Sequence, residues 1–329
     1  MLKRSSIKVD YAPRSLHWYN GALMDWVSGI LHKLDGEKQR IGYKMGYRFD
    51  AVRYSPDGVY AVIYERLGTK AVILKQGEIL REISRSYYCA EAYEYPVEII
   101  KLPEGYALIH CPDKYNQIEI ELIESGRRIT KMEGRHPGDC FHARFQTNPS
   151  NTHLLNAGWV WHPYGFLELH DVRKAIEDNN EFDNSSFSLP IHDEVGSAAF
   201  LDDDLFVVGT TGEGFMDPNE PEEPGLGANQ IGLFSIAKNR FIKTCSVDRE
   251  FGVLIPMTVD YVLDLYEHPK VIDINTGSVL ETFPDIESGK QRTAIVHHPE
   301  LMPPVALALS ERKIAVGTST TIEILEWPE

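Results

Sequence analysis

A chain of 329 residues that is 43% hydrophobic and 25% charged has the composition of an ordinary globular protein, with apolar material enough for a core that needs no disulfide or metal staple. Its 49 acidic residues against 33 basic ones leave a formal charge of -16, which repels a phosphate backbone and argues against nucleic acid as a partner. The basic start Lys3-Arg4 is not followed by an apolar stretch, and no later segment has the run of a membrane helix, so the expected protein is cytoplasmic and not membrane-bound.

From the amino end, RSLHWYNG, ALMDWVSG, ILHKLDG and QRIGYKM form four short apolar stretches separated by turn residues. The clearest unit comes next, as FDAVRYSPDG, VYAVIYERLGT, KAVILKQG and EILREI, with Pro56-Asp57-Gly58, Gly68 and Gly77 marking turns. The same grammar returns in YPVEIIKLPEG, YALIHCPDK, QIEIELIESG and RRITKM, then in CFHARFQTNPSN, THLLNAGW, FLELHDV and a late strand near Phe187. It continues through VGSAAFLDDD to RFIKTCSV, FGVLIPM to SVLETF, and finally PVALALSERK, IAVGTST and TIEILEW. A degenerate repeat of this length predicts an all-β chain, with residues 1–329 folded as one β-propeller domain of seven four-stranded antiparallel blades. Six blades are the alternative, if the first segment only covers an edge. The last copy lacks an outer strand, which SIKVDY at residues 6–11 can supply, closing the ring and removing a free edge. One helix is expected, at residues 172–179, behind Asp171 as its cap.

Ser55-Pro56-Asp57-Gly58 after a first strand, and Asp171 and Asp273 near the ends of third strands, carry a resemblance to degenerate WD-repeat propellers over nearly the whole chain. No copy has Gly-His at its start and Trp-Asp at its end. The resemblance implies a platform for protein complexes. A lactonase- or hydrolase-like propeller, with a small molecule or metal in the axial channel, is the alternative.

Chemistry-bearing motifs are sparse. Nucleophile-elbow, Walker, H-E-x-x-H and dinucleotide-binding patterns are absent, so the chain reads as non-catalytic. Asp50, Asp139, Glu194 and Asp248 fall near blade connections and are the carboxylates that a channel ion would use, against the simpler reading as solvated loop residues. His297-His298 point to opposite faces of an extended segment and suit chelation poorly. Cys140 with His142 could pair as nucleophile and base, but reads better as a buried thiol beside a hydrogen-bonded histidine. Cys89, Cys111, Cys140 and Cys245 contain no C-x-x-C pair and are expected to be reduced. No cofactor is expected.

Loop lengths carry the functional expectation. Connections from second to third strand, and from blade to blade, open on one face and include residues 84–95, 110–117, 158–166 and 209–230, whereas the other face has mostly tight turns. Long loops on a rigid scaffold are where binding resides. The candidate site is therefore Tyr87, Tyr88, Trp159, Trp161, His162, Tyr164 and Phe215, with Glu220, Glu222 and Glu223 of an acidic loop facing a basic protein partner. Trp159 and Trp161 have a second reading, as packing between blades. The acidic stretch likewise has one, as a solvated loop. A monomer is the expected state.

Overall fold

The computed structural model describes residues 2–42, 44–130, 134–161, 164–213, 225–297, 299 and 302–328. The second blade shows how the local sequence makes a sheet. In its first turn Ser55 Oγ donates to Asp57 Oδ1 at 2.6 Å and accepts from the Tyr60 amide at 2.9 Å, while Gly58 takes the left-handed φ of +69° that the reversal requires. Alternating Val, Ile and Tyr on either side then pair into β6 (Ala51–Tyr54), β7 (Tyr60–Tyr64), β8 (Lys70–Lys75) and β9 (Glu78–Ser84).

Six further sheets repeat this plan around a ring. The first blade is β2 (His17–Tyr19), β3 (Ala22–Asp25), β4 (Ile30–His32) and β5 (Lys38–Arg40). The third is β10 (Val97–Leu102), β11 (Gly105–His110) and β12 (Glu119–Leu122), its outer strand reduced to a bridge between Glu121 and Arg128. The fifth is β17 (Val195–Phe200), β18 (Leu205–Thr210), β19 (Gln230–Ser235) and β20 (Arg240–Ser246), and the sixth is β21 (Leu254–Pro256), β22 (Tyr261–Asp264), β23 (Lys270–Asp273) and β24 (Val279–Thr282). The seventh, β25 (Val305–Ala308), β26 (Lys313–Gly317) and β27 (Thr321–Glu326), takes its outer strand from the amino end as β1 (Lys3–Lys8). The closure is the expected one, three residues earlier than residues 6–11, with Lys3 opposite Glu326 and Lys8 opposite Thr321.

The fourth blade departs most from expectation. Its inner strand is split into β13 (Cys140–Phe141) and β14 (Gln146–Thr147) around Arg144, which has φ +49°, and both halves pair with β15 (His153–Val160). After β16 (Tyr164–Asp171) comes α1 (Val172–Glu177), where Asp171 accepts from the Lys174 amide as predicted, and then a 3-10 turn over Asn179–Phe182. No strand forms near Phe187. Pro190 has no N–H for a ladder, and Ile191 bridges Leu226 of the fifth blade, so Phe187 and Leu189 serve as packing instead.

Seven hydrophobic clusters follow the ring, each shared by two neighbouring blades. Ile7, Ala306 and Ile322 meet Leu16, Trp18 and Leu23 across the seventh–first seam, for example, and Met24 and Val27 meet Ile63 and Leu74 across the next. The other five seams are built alike. A further connection crosses one face. Residues 283–297, which follow the sixth blade, run out so that Ile295 bridges Tyr93, beyond the second blade, and Val296 N donates to Ala92 O at 2.8 Å. We call this segment the strap.

An aromatic cluster on the loop-bearing face

An eighth cluster lies off the ring seams. Tyr93, Phe141, Ala143, Trp159 and Ala294 form a buried group in which the second–third blade connection, the fourth blade and the strap meet, with Cys89, Tyr115 and Ile295 packed against it. Arg85 fixes the first of these elements. Buried itself, it donates to four carbonyls, of Gly68, Ala90, Tyr93 and Glu94, at 2.8–3.2 Å, and its guanidinium lies 4.4 Å from the Tyr93 ring centre and 5.0 Å from that of Tyr95. A loop held by so many bonds presents its tip in one shape.

That tip is Tyr87 and Tyr88, 85% and 42% exposed. Tyr88 rests 4.9 Å from Tyr115, 5.8 Å from Phe141 and 6.2 Å from Trp161, ring centre to ring centre. Trp161 is 45% exposed and stands edge-on to both Phe141, at 5.3 Å, and Trp159, at 5.6 Å. Beneath them Trp159 and Phe141 stack at 4.1 Å with planes 7° apart. Gly158 permits this closeness, since a Cβ there would strike the Phe141 carbonyl, and Gly165 lets Val195 of the fifth blade approach β16. At the rim Tyr115 donates to Asp139 Oδ1 at 2.5 Å; that bond, with burial second, pushes the phenol up to about 12, so it stays neutral.

The candidate residues are thus separated by the structure. Tyr87, Tyr88 and Trp161 form one exposed patch. Trp159, expected as an anchor, is only 5% exposed and supports the patch from below. Tyr164 also does not join it: among the described residues it has no ring contact there, and its environment is that of Asp193 and Glu194, where burial first and those carboxylates second push its phenol up. His162, Phe215, Glu220, Glu222 and Glu223 lie outside the described residues. Of the acidic loop, Glu213 is described, and it pairs with Arg292 of the strap at 2.9 Å. Tyr115, Phe141 and Asp139 complete the cluster. Sequence reasoning placed residues 110–117 on this face but did not pick Tyr115, whose partners come from another blade.

Cys140, His142, Glu194 and Asp50 each have identifiable surroundings. Asn156 donates to Glu168 Oε2 at 2.9 Å and accepts from the Ala143 amide, which fixes its orientation, so it also donates to His142 Nδ1 at 2.8 Å. His142 therefore carries its proton on Nε2, directed to the Asn116 carbonyl at 3.1 Å. The Cys140 sulfur, 4.0 Å from that nitrogen, faces a donor rather than a base, and burial pushes its thiol up to about 12. Glu194 is taken up by the Gly165 amide and the Thr211 hydroxyl, and Asp50 by the Arg66 amide. Among the described residues no three His, Cys, Asp or Glu side chains are grouped to hold a metal ion.

Seven radial sheets, closed by an amino-terminal strand, define a seven-bladed β-propeller. The fold of Myceliophteria thermophila Cps50 (Swd1), a β-propeller domain, is similar over 99% of this chain and all of that one, with a TM-score of 0.61 at 12% identity. A chain of the mitotic checkpoint complex matches over 99% of this chain and 91% of its own, with a TM-score of 0.59 at 11% identity. The computationally designed Ika8 protein covers 98% of each chain, with a TM-score of 0.51 at 13% identity. No family model and no curated protein sequence matches.

Proposed function

We propose that this chain is a non-catalytic scaffold that docks a protein partner on the patch formed by Tyr87, Tyr88 and Trp161. The carrying observation is the eighth cluster. Seven apolar clusters account for the seven seams of the ring, whereas this one gathers four separate segments around an exposed aromatic tip that no seam requires. Tyrosine and tryptophan on a rigid support bury much area with little loss of rotamer freedom, which is the character of interface hot spots. One structural neighbour is a chain of a named multiprotein complex, which supports the same use of the fold here. The partner is read as basic, given the charge of -16, and the protein as a cytoplasmic monomer.

The test is a capture experiment with wild type, a Tyr88→Ala/Trp161→Ala double variant and Tyr164→Ala, each first shown to melt cooperatively. Loss of specific partners from the double variant and their retention by Tyr164→Ala is expected. Equal capture by all three sinks the assignment of this patch.

A further inference from the structure

The strap packs beside the sixth blade, where the Gln291 carbonyl abuts Gly252, and beside the fifth, where the Arg292 carbonyl abuts Gly196, and then reaches Tyr93. A cavity of about 280 Å³ lies between Ser288, Gly289 and Gln291 of the strap and the inner side of blades one, two, six and seven. Its lining is mixed. Leu16, Val253, Ile255, Leu265 and Pro304 supply apolar surface, and Asp50, Arg53, Arg66, Glu94 and Gln291 supply polar groups.

The polar lining holds an unpartnered donor. Gln291 is only 5% exposed, and its Oε1 is committed to the His297 amide at 3.3 Å, which leaves Nε2 as a buried donor with no partner among the described residues. Arg53 reaches the Val97 and Phe145 carbonyls only at 3.4 Å each, and Glu98 at 3.5 Å. Beneath and along the strap Arg144 Nη2 and Arg292 Nε are likewise without partners among the described residues. The nearby carboxylates are already engaged, Asp50 by the Arg66 amide at 2.7 Å and Glu94 by Arg144 at 3.7 Å. Asp264 Oδ2, which makes no hydrogen bond, has Lys270 Nζ at 3.4 Å.

We propose that this cavity binds a small organic carboxylate, its oxygens on Gln291 Nε2 and Arg53 and its apolar body against Leu16, Val253 and Ile255. A dry cavity of roughly 150 Å³ takes benzene, so this one takes a ligand of roughly ten non-hydrogen atoms. A carboxylate offers Gln291 Nε2 and Arg53 acceptors without bringing donors of its own, whereas an ammonium would offer them none.

Titration calorimetry with phenylacetate, octanoate and indole-3-acetate, against phenylacetamide and phenethylamine, tests this on the full chain. At least one carboxylate should bind in the millimolar range or tighter, with the matched amide and amine about tenfold weaker. Gln291→Leu should weaken the carboxylate about tenfold, and Val253→Trp should abolish binding by filling the cavity. If either variant fails to fold, carboxylate-induced shifts of the Gln291 side-chain amide resonances in wild type give the same reading. Absence of binding by all three carboxylates up to roughly 10 mM overturns the site. So does equal binding of the amine or amide, or binding that two folded variants leave unchanged.

Discussion

Trp159 and Trp161 are two positions apart, yet one is core and the other surface. On a continuous strand they would share a face, but β15 ends at Val160, so Trp161 leaves the alternation and stands on the tip while Trp159 stacks on Phe141. The sequence left packing and binding open for both, and could not separate them because the strand's end is set by contacts with other segments. Truncating a fully packed indole removes its contacts and leaves a cavity, so Trp159→Ala should cost about 3–5 kcal/mol in a denaturant titration. Trp161→Ala should stay within about 1 kcal/mol of wild type and act on partner binding instead, where a true anchor is worth about 2 kcal/mol or more. His17 yields a second prediction at this scale. Buried, stacked on Tyr54 and accepting from Trp26 Nε1 at 3.1 Å, it is held neutral, with burial pushing its pKa down to about 3. An unfolded histidine titrates near 6.5, so between about 6.5 and 3 the unfolded chain binds the proton and the native one does not. The stabilisation is complete above the upper value and lost progressively as pH falls toward the lower. Thermal melts from pH 7.5 to 4.5 should show wild type losing stability more steeply than His17→Asn, which keeps an acceptor for Trp26 but does not titrate. Identical slopes would remove His17 from the acid response.

At the scale of the element, β1 carries the ring closure. Its ladder on β27 is joined by Arg4, which pairs with Glu323 at 2.9 Å and Asp285 at 2.7 Å, and by Ile7 and Val9, which enter the seventh–first core. Deleting residues 1–11 should therefore remove at least about 3 kcal/mol, from the two apolar side chains alone, and expose β27 as an unpaired edge. A clear fall in melting temperature, with self-association visible on a sizing column, is the expected outcome; an unchanged melt would mean that the ring is stable open. The closure was legible because the last repeat was one strand short, whereas its register was not. SIKVDY alternates well enough to pair at more than one offset, and the observed one sets Lys3 opposite Glu326 and Lys8 opposite Thr321. The helix was legible for a local reason, the Asp171 cap before VRKAIE. The misread strand near Phe187 failed for a tertiary one, because Phe187 and Leu189 have the right residue types but are spent on the fourth–fifth seam.

On the scale of the whole molecule, fold and site were legible to different degrees because they depend on different kinds of contact. Each blade is made of neighbours in sequence, so its repeat survives in the text of the chain even when the family signature is lost. The aromatic patch is made of residues 87–88, 115, 141 and 161, which share no periodicity and meet only because the ring brings three blades' connections to one face. Charge is the one functional property that needs no such assembly. A net -16 spread over the surface produces a field that reaches beyond contact distance, and near the patch Glu91 and Asp139 are on exposed loop positions. In the docking proposed above, that field should speed encounter with a basic partner, and Tyr88 and Trp161 should govern how long the complex lasts. The two contributions separate in stopped-flow or surface-based kinetics. Raising salt from about 0.05 to 0.5 M contracts the Debye length from about 14 to 4 Å and should cut the association rate by about tenfold or more, with little effect on dissociation. Trp161→Ala should do the reverse, speeding dissociation at unchanged salt dependence. An association rate indifferent to salt would show that the partner is not steered by charge, and the basic character proposed for it would have to be given up.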